Sequence, residues 1–291
     1  LPPDEILAAL ARLFPPGAVR CVAGRPAVTL ADEEEARALA SLARERGWRL
    51  HAWNGGAPPG RPLPEKVILV TPAARLGGGV AVAAADGYAE APAALTAAAF
   101  SERLRAGTAW FPFAAAGAPA MTLGEVVARY PANAFAPIYG ELQRLVLGLT
   151  VVDDAGELVP LGRRTIKGVA GYDLAKMFLG ARGQTGLVAA VRVRLFGRPA
   201  DAALWRLGGA SAAPAWEGLC RVAVGGDAYV YAEGRAGGLA RIGGELRYHG
   251  LGVEELARGR AATEEFAALA AAAPAAPPGD GVVPAPSALF V

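Results

Sequence analysis

Three short runs in this 291-residue chain place small residues where a main chain can approach an anion. The first is Trp53-Asn54-Gly55-Gly56-Ala57. Without bulky side chains, successive N–H groups can converge into a nest for a phosphate. Asn-Gly-Gly is equally ordinary turn chemistry. The second is Thr122-Leu123-Gly124, where a helix start with a small residue admits a pyrophosphate oxygen; a simple Thr cap is the other reading. The third is Gly168-Val169-Ala170-Gly171-Tyr172-Asp173-Leu174, trailed by Gly180, Gly183 and Gly186. Glycines at this density suit close contact between backbone and ligand, or a glycine-punctuated helix entry and hairpin. Side-chain chemistry is sparse by comparison. The two histidines, His51 and His249, have no partner at metal-ligand spacing. Ser101 and Ser211 sit in no nucleophile context, and neither a phosphate-binding Walker loop nor a zinc-protease His pair occurs.

The elements that must position these runs follow from periodicity. Ile6, Leu7, Leu10 and Leu13 recur at helical spacing until Pro15-Pro16-Gly17. Ala27–Leu30 is a short apolar strand. Asp32 with Glu35 three residues on has the form of a capping box, and Gly47 ends the helix. Trp48–Trp53 and Val67–Val70 read as strands of a compact β-α-β unit, and Val80–Ala84 as a further strand. The pattern predicts a helix over Ala91–Leu104 and a Thr122-capped helix over Leu123–Ala128. Leu145–Val152, the turn Asp153–Gly156 and Glu157–Val159 form a hairpin. Leu174–Leu179 is a short helix, and Leu187–Phe196 an alternating strand. Strands at Ala203–Leu207 and Ala228–Ala232, a helix over Val253–Ala272 and an Ala/Pro-rich tail complete the chain. Composition shifts at Pro199, which sets the expected boundary: residues 1–199 as one domain, with subdomains of about 1–72 and 73–199, and 200–291 as a smaller cap with its tail.

Composition narrows the function classes. Apolar residues make up 53% of the chain and charged residues 19%, enough for a sizeable core. The net charge of +2 offers no basic stripe for nucleic acid. No apolar run reaches membrane-spanning length, and the first ten residues, with two prolines and two acids, do not form a secretory signal. Cys21 and Cys220 are too few for a disulfide framework or a four-thiolate zinc site, which suits a reducing cytoplasm.

In order, the glycine runs resemble the FAD-binding fold of the vanillyl-alcohol-oxidase type, also called PCMH-type. The likeness extends to the E subunits of bacterial glycolate oxidases. Its carriers are Lys167-Gly168-Val169-Ala170-Gly171-Tyr172-Asp173-Leu174, Gly180-x-x-Gly183-x-x-Gly186, Tyr139-Gly140, Leu145–Gly148, Thr122–Gly124 and Gly60-Arg61-Pro62. The likeness covers roughly residues 40–199. It implies an α+β protein of two α/β subdomains with FAD between them, plus a reduced α+β cap. It also implies that Ala52, Trp53, Asn54, Gly55 and Gly56 face the pyrophosphate, that Thr122 and Gly124 lie along the diphosphate, and that Gly171, Gly183, Gly186 and Val188 line the ribose and adenine.

The implied function is the FAD-carrying subunit of a multi-subunit 2-hydroxy-acid dehydrogenase, with a larger homologous flavoprotein and an iron–sulfur subunit as partners. The implied location is the cytoplasm, with membrane contact only through partners. No catalytic residue is assigned. Certain departures from the family pattern point to the alternative of a non-catalytic scaffold that binds FAD weakly or not at all. Glu125 stands where a second glycine is usual. The loop Ala128–Pro137 is bulkier than the family's, only part of the pyrophosphate loop is kept, and an Asn-Pro-Gly near the end is absent. Trp110–Phe113 and Val253–Ala272 serve in this reading either as partner faces or as core.

Overall fold

A computed structural model describes residues 3–53, 63–162, 173–208, 218–248 and 252–274. Its chain builds three sheet-centred layers in sequence order. The first comprises α1 (Pro3–Leu13), β1 (Val19–Val22), β2 (Arg25–Leu30), α2 (Glu33–Arg46), β3 (Arg49–Ala52) and β4 (Val67–Pro72). The strand order is β1-β2-β4-β3, with β2, β4 and β3 parallel and β1 a hairpin partner of β2. The capping signals act as expected. Asp32 accepts from the Glu35 amide at 3.0 Å, and Gly47 closes the helix in the left-handed region. Glu35 reaches back to the Ala31 amide at 2.6 Å, one residue beyond the usual box. Strand β1 was not foreseen; Val19-Arg20-Cys21-Val22 has exposed central residues and pairs only as an edge.

The second layer holds β5 (Ala81–Ala83), β6 (Tyr88–Pro92), α3 (Ala97–Leu104), β7 (Ala109–Trp110), α4 (Leu123–Arg129), α5 (Ala136–Tyr139), α6 (Leu142–Leu145), β8 (Val146–Val152), β9 (Leu158–Gly162), β10 (Leu187–Arg194) and β11 (Phe196–Gly197). Its five-stranded sheet runs β5-β6-β10-β8-β9, antiparallel throughout. The predicted helix over Ala91–Leu104 is corrected here. Ala91 and Pro92 belong to β6, paired with Val191 and Ala190. Thr96 starts the helix by accepting from the Ala99 amide at 3.2 Å. Alanine-rich sequence carries little periodic contrast, so strand pairing with β10 decided the first residues. β10 departs from simple alternation for a related reason. Leu187 and Ala189 face the first layer's core while Val188, Val191 and Val193 face the second's, so both faces are dry.

The third layer holds β12 (Ala202–Gly208), β13 (Cys220–Val224), β14 (Asp227–Glu233), α7 (Ala236–Tyr248), β15 (Gly252–Arg258) and α8 (Gly259–Ala272). The order is β13-β14-β12-β15, all antiparallel. The helix expected over Val253–Ala272 is half strand: β12 takes β15 as its second neighbour, and only from Gly259 does the chain coil into α8. α7 covers one face through Leu239 and Leu246, and α8 covers the other through Ala262, Phe266 and Ala270.

The first two layers meet at the β8–β9 turn. A Cβ on Gly156, whose φ is +86°, would lie 2.4 Å from Arg37 Cα of α2. Only glycine permits this contact. Around it, Arg44 donates to the Asp154 carbonyl at 2.5 Å and the Leu158 amide donates to Glu33 at 3.3 Å.

The second and third layers meet in an aromatic seam. Phe135 is fully buried, with ring centroids 5.2 Å from Trp110, 5.4 Å from Tyr231 and 5.2 Å from Phe266. Trp110, Phe111 and the inward side of α8 are therefore core. Polar groups thread the seam: Tyr139 donates to Glu233 Oε2 at 2.7 Å, and Tyr231 donates to Glu233 Oε1 at 2.8 Å. Burial above all, with the Glu233 carboxylate adding to it, pushes both phenols well above their ordinary range.

Two outcomes follow for stability. Phe135→Ala removes the ring at the centre of the seam and should cost about 3–5 kcal/mol in chemical denaturation, whereas Leu13→Ala at a half-exposed site should stay within about 0.5 kcal/mol. Unfolded tyrosines ionise near pH 10, but the folded Tyr139 and Tyr231 keep their protons beyond that. Their contribution is whole below about pH 10 and falls as pH rises toward the folded values. Denaturation midpoints measured from pH 8 to 11.5 should drop above pH 10 in the native chain and drop less in a Tyr139→Phe, Tyr231→Phe double variant.

Candidate functional site

Of the expected site residues among the described ones, Ala52 and Gly183 meet where β3, the last turn of α4 and the segment 180–186 converge. β3 ends at Ala52, on a parallel strand edge whose residues Leu50 and Ala52 face the first core. His51 points to the opposite side and is 2% exposed. The Ala52 amide donates to the Gly183 carbonyl at 3.3 Å. The approach is tight in the other direction too. A Cβ built on Gly183, whose φ is +82°, would lie 2.1 Å from the Ala52 carbonyl oxygen and 3.3 Å from His51 Nε2. Gly183 is thus the point at which a turn of the second layer touches the strand end of the first, and any side chain would force them apart.

Helix α4 holds that turn from the other side. Its last carbonyls would be orphans in an isolated helix. Here Val127 accepts from the Gly180 amide and Ala128 from the Arg182 amide, each at 3.0 Å. Tyr130 closes the helix in the left-handed region, with its own amide on the Val126 carbonyl. Gly180 lies beside Tyr130: a Cβ there would come within 3.6 Å of the tyrosine Cβ. Burial first, then the nearby Glu141 charge, raises the Tyr130 phenol above its ordinary value. Gly186 follows at φ +144°, packed against Phe178, and Val188 is buried in β10 opposite Val151.

At the other end of α4 the sequence signals act locally. Thr122 caps the helix by accepting from the Glu125 amide at 3.1 Å. The Leu123 amide donates to Leu95 and the Gly124 amide to Ala93, at 2.8 and 2.9 Å. The first three amides of this seven-residue helix are thereby used within the protein. Gly124 is itself buried, so neither its amide nor its surface is turned outward. Glu125, whose charge would oppose a phosphate, pairs with Arg129 at 2.8 Å, one turn along the helix.

Trp53 continues from β3 with its amide on the Val70 carbonyl at 2.6 Å, and Arg20 stacks over its indole at 5.3 Å. Asn54, Gly55, Gly56 and Gly171 lie outside the described residues, as do the Lys167–Tyr172 run and His249. Among the described residues no cluster of His, Cys, Asp and Glu is arranged to hold a metal, and no helix is long and apolar enough to cross a membrane.

Sequence reading passed over Asn133. It is 4% exposed and uses its whole amide group. Its Oδ1 accepts from the Ala114 and Phe135 amides, both at 3.1 Å; its Nδ2 donates to the Pro112 carbonyl at 3.0 Å and the Gly140 carbonyl at 3.3 Å. The loop after α4 is thereby fixed by a single side chain. An asparagine among prolines and alanines carries no periodic signal, because its four partners come from three chain segments.

Comparison with known proteins accords with this geometry. Residues 25–162 match the family described as FAD binding domain. The glycolate oxidase subunit GlcD of Bacillus subtilis is 39% identical over 61 residues, 21% of this chain and 13% of that protein. The D-2-hydroxyglutarate dehydrogenase of Stutzerimonas stutzeri is 38% identical over 63 residues, 22% and 14% of the two chains. The glycolate oxidase subunit GlcE of Escherichia coli is 32% identical over 78 residues, 27% and 22%. The matched stretches thus span less than a quarter of these relatives. In fold, Bermuda grass isoallergen BG60 superposes with a TM-score of 0.63 at 17% identity, covering 86% of this chain and 61% of that one. Xylooligosaccharide oxidase from Myceliophthora thermophila gives 0.61 at 15% identity, covering 84% and 55%.

The geometry predicts that Gly183→Ala will loosen the junction. Amide exchange at Ala52 and Arg182 should accelerate by roughly tenfold or more, with a stability loss of about 2–4 kcal/mol, because clash and left-handed strain add; unchanged exchange at both amides would refute the packing described. Over residues 25–162 the chain matches the family described as FAD binding domain, and over 86% of its length its fold is similar to that of Bermuda grass isoallergen BG60.

Proposed function

We propose that this chain is the FAD-carrying subunit of a multi-subunit dehydrogenase acting on small 2-hydroxy acids. The observation that carries the reading is the seam at Gly183. A glycine turn, held by α4 on one side, is brought within backbone contact of the strand end that opens the 53–62 segment, inside a chain whose residues 25–162 match an FAD binding domain. The matched hydroxy-acid dehydrogenase and glycolate oxidase subunits support the substrate class, and the subunit names among them support a partner.

The residues present suit a dinucleotide. A diphosphate is approached most closely by main chain on small residues, and the runs at 52–56 and 180–186 are rich in them without a surplus of basic charge, although the amides of Ala52, Trp53, Gly180, Ala181, Arg182 and Gln184 are engaged within the protein. Glu125 does not oppose it, because Arg129 holds the carboxylate. In this reading Ala52–Gly56 hold the pyrophosphate side, Gly171, Gly183, Gly186 and Val188 the ribose and adenine side, and Thr122 and Gly124 lie along the diphosphate. When bound, the flavin supplies the hydride-accepting chemistry, while the protein binds, orients and shields it. Residues 1–199 then form the binding domain and 200–291 the cap, with a larger homologous flavoprotein and an iron–sulfur protein as partners in the cytoplasm.

A second reading is favoured by one observation: the amides of Leu123, Gly124 and Glu125 are all engaged internally. On that reading the chain keeps the fold and supports a catalytic flavoprotein partner without holding FAD firmly itself.

A spectrum of the purified protein separates the two. The first reading expects flavin absorption near one equivalent, or restoration of it by added FAD, and a Gly183→Ala variant that holds at least about tenfold less. Bleaching by a 2-hydroxy acid is expected once the partners are present. A colourless native chain that takes up no FAD at high micromolar concentration, yet co-purifies with a flavin-containing partner, would overturn the first reading in favour of the second.

A further inference from the structure

The aromatic seam contains more polar chemistry than packing two layers together requires. Glu233, the last residue of β14, presents both carboxylate oxygens to phenols: Tyr139 on α5 and Tyr231 on its own strand. Tyr231 also lies 2.9 Å from Thr263 Oγ1 on α8. The Tyr231 proton is committed to Glu233, so the Thr263 hydroxyl donates to Tyr231. Cys220 on β13 completes the surroundings, its thiol pushed up to about 12 by burial first and by the Glu233 charge second. The ring of Trp110 stacks edge-on to Tyr139 at 5.4 Å. The groups facing the carboxylate are therefore neutral donors drawn from both layers. Glu233 itself is half-buried, and a carboxylate drawn partly out of water is held in place by the hydrogen bonds it accepts.

Tyr139 is the one member of this chain of hydroxyls that belongs to the second layer. It ends the segment 130–140, which begins at the left-handed cap of α4 and is pinned midway by Asn133. The same α4 terminus holds Gly180 and Arg182, and Tyr130 packs on Gly180. The path from Glu233 to the glycine turn thus runs through one hydrogen bond, one pinned loop and one helix end. We propose that Glu233 is a positioning residue: by gripping Tyr139 from the third layer, it fixes the 130–140 segment and through it the glycine turn 180–186. The consequence for FAD affinity rests on the functional reading given above, while the positioning itself does not.

The test uses the full chain and Glu233→Gln. A glutamine accepts from one phenol and can only donate to the other, so the charge-assisted grip on the two phenols is weakened while size is kept. Tyr139→Phe removes the same bond from the opposite side, in case the first variant folds poorly. Glu254→Gln, on the exposed partner of Arg206 in the same sheet, serves as control. Hydrogen exchange should accelerate by roughly tenfold across 130–140 and measurably in 180–186 in both test variants, and remain native in the control. In Glu233→Gln, ultraviolet titration should show Tyr139 and Tyr231 ionising at lower pH than in the native chain, and hydrogen exchange distinguishes this loss of the carboxylate from a loss of packing confined to 218–248. FAD binding should weaken about fivefold or more in the test variants. Faster exchange restricted to 218–248, with 130–140 and 180–186 unchanged, would overturn the proposal. Transmitted exchange in a chain that takes up no FAD would uphold the positioning and refute the functional reading alone.

Discussion

The structure depends on main chain meeting main chain at Gly183. Apolar burial drives the layers together but is non-directional, and it leaves their relative register open. The contact of Gly183 with the Ala52 carbonyl closes that freedom, since the two backbones cannot approach so nearly with any other residue. α4 makes the contact rigid by giving its final carbonyls to Gly180 and Arg182. Gly156 does the same at the far end of the first two layers, where the β8–β9 turn lies on the backbone of α2. Two such contacts, at separate points, fix one layer against the other as two apolar cores alone would not.

The third layer is attached by a different kind of contact. Its seam is aromatic, edge-on and fully dry around Phe135, which gives much buried area but tolerates sliding. The carboxylate of Glu233 removes that tolerance. Two phenols must find its two oxygens, and any slide takes the acceptor away from the buried Tyr231 and from Tyr139, which costs about 1–3 kcal/mol. Polar groups inside the seam thus select one docking, while the rings around them supply the attraction. Asn133 plays the same part within the second layer, where one amide satisfies four main-chain groups.

Local signals were legible wherever a residue acts on near neighbours. Asp32, Glu35 and Gly47 bounded α2, Thr122 bounded α4, and Asp153 to Gly156 marked the hairpin turn, each through bonds a few residues long. The reading lapsed where a distant strand decided. Ala91 and Pro92 became strand because β10 lay open beside them, and 252–258 became strand because β12 lacked a second neighbour. Of the site, Ala52 and Gly183 were both named from the sequence, and the structure puts them in contact. At the Thr122–Gly124 helix start, the amides of Leu123, Gly124 and Glu125 are spent on Leu95, Ala93 and the Thr122 cap. Asn133 and Glu233 escaped notice because each acts on partners far along the chain, and neither stands in a recognisable pattern.

The sequence by itself determined which bends carry glycine, where the capped helices α2 and α4 begin, and that no histidine pair, cysteine set or basic stripe stands at a spacing that would bind. Those are properties of residue type and of spacing within about a turn of helix, and no distant contact alters them. Only the tertiary structure decided which bends meet, which amides remain for a ligand and how the last layer grips the loop after α4. Each of those depends on hydrogen bonds and close approaches between residues some twenty to one hundred and thirty positions apart, where pairing is set by the shape of the whole core and leaves no trace in local order.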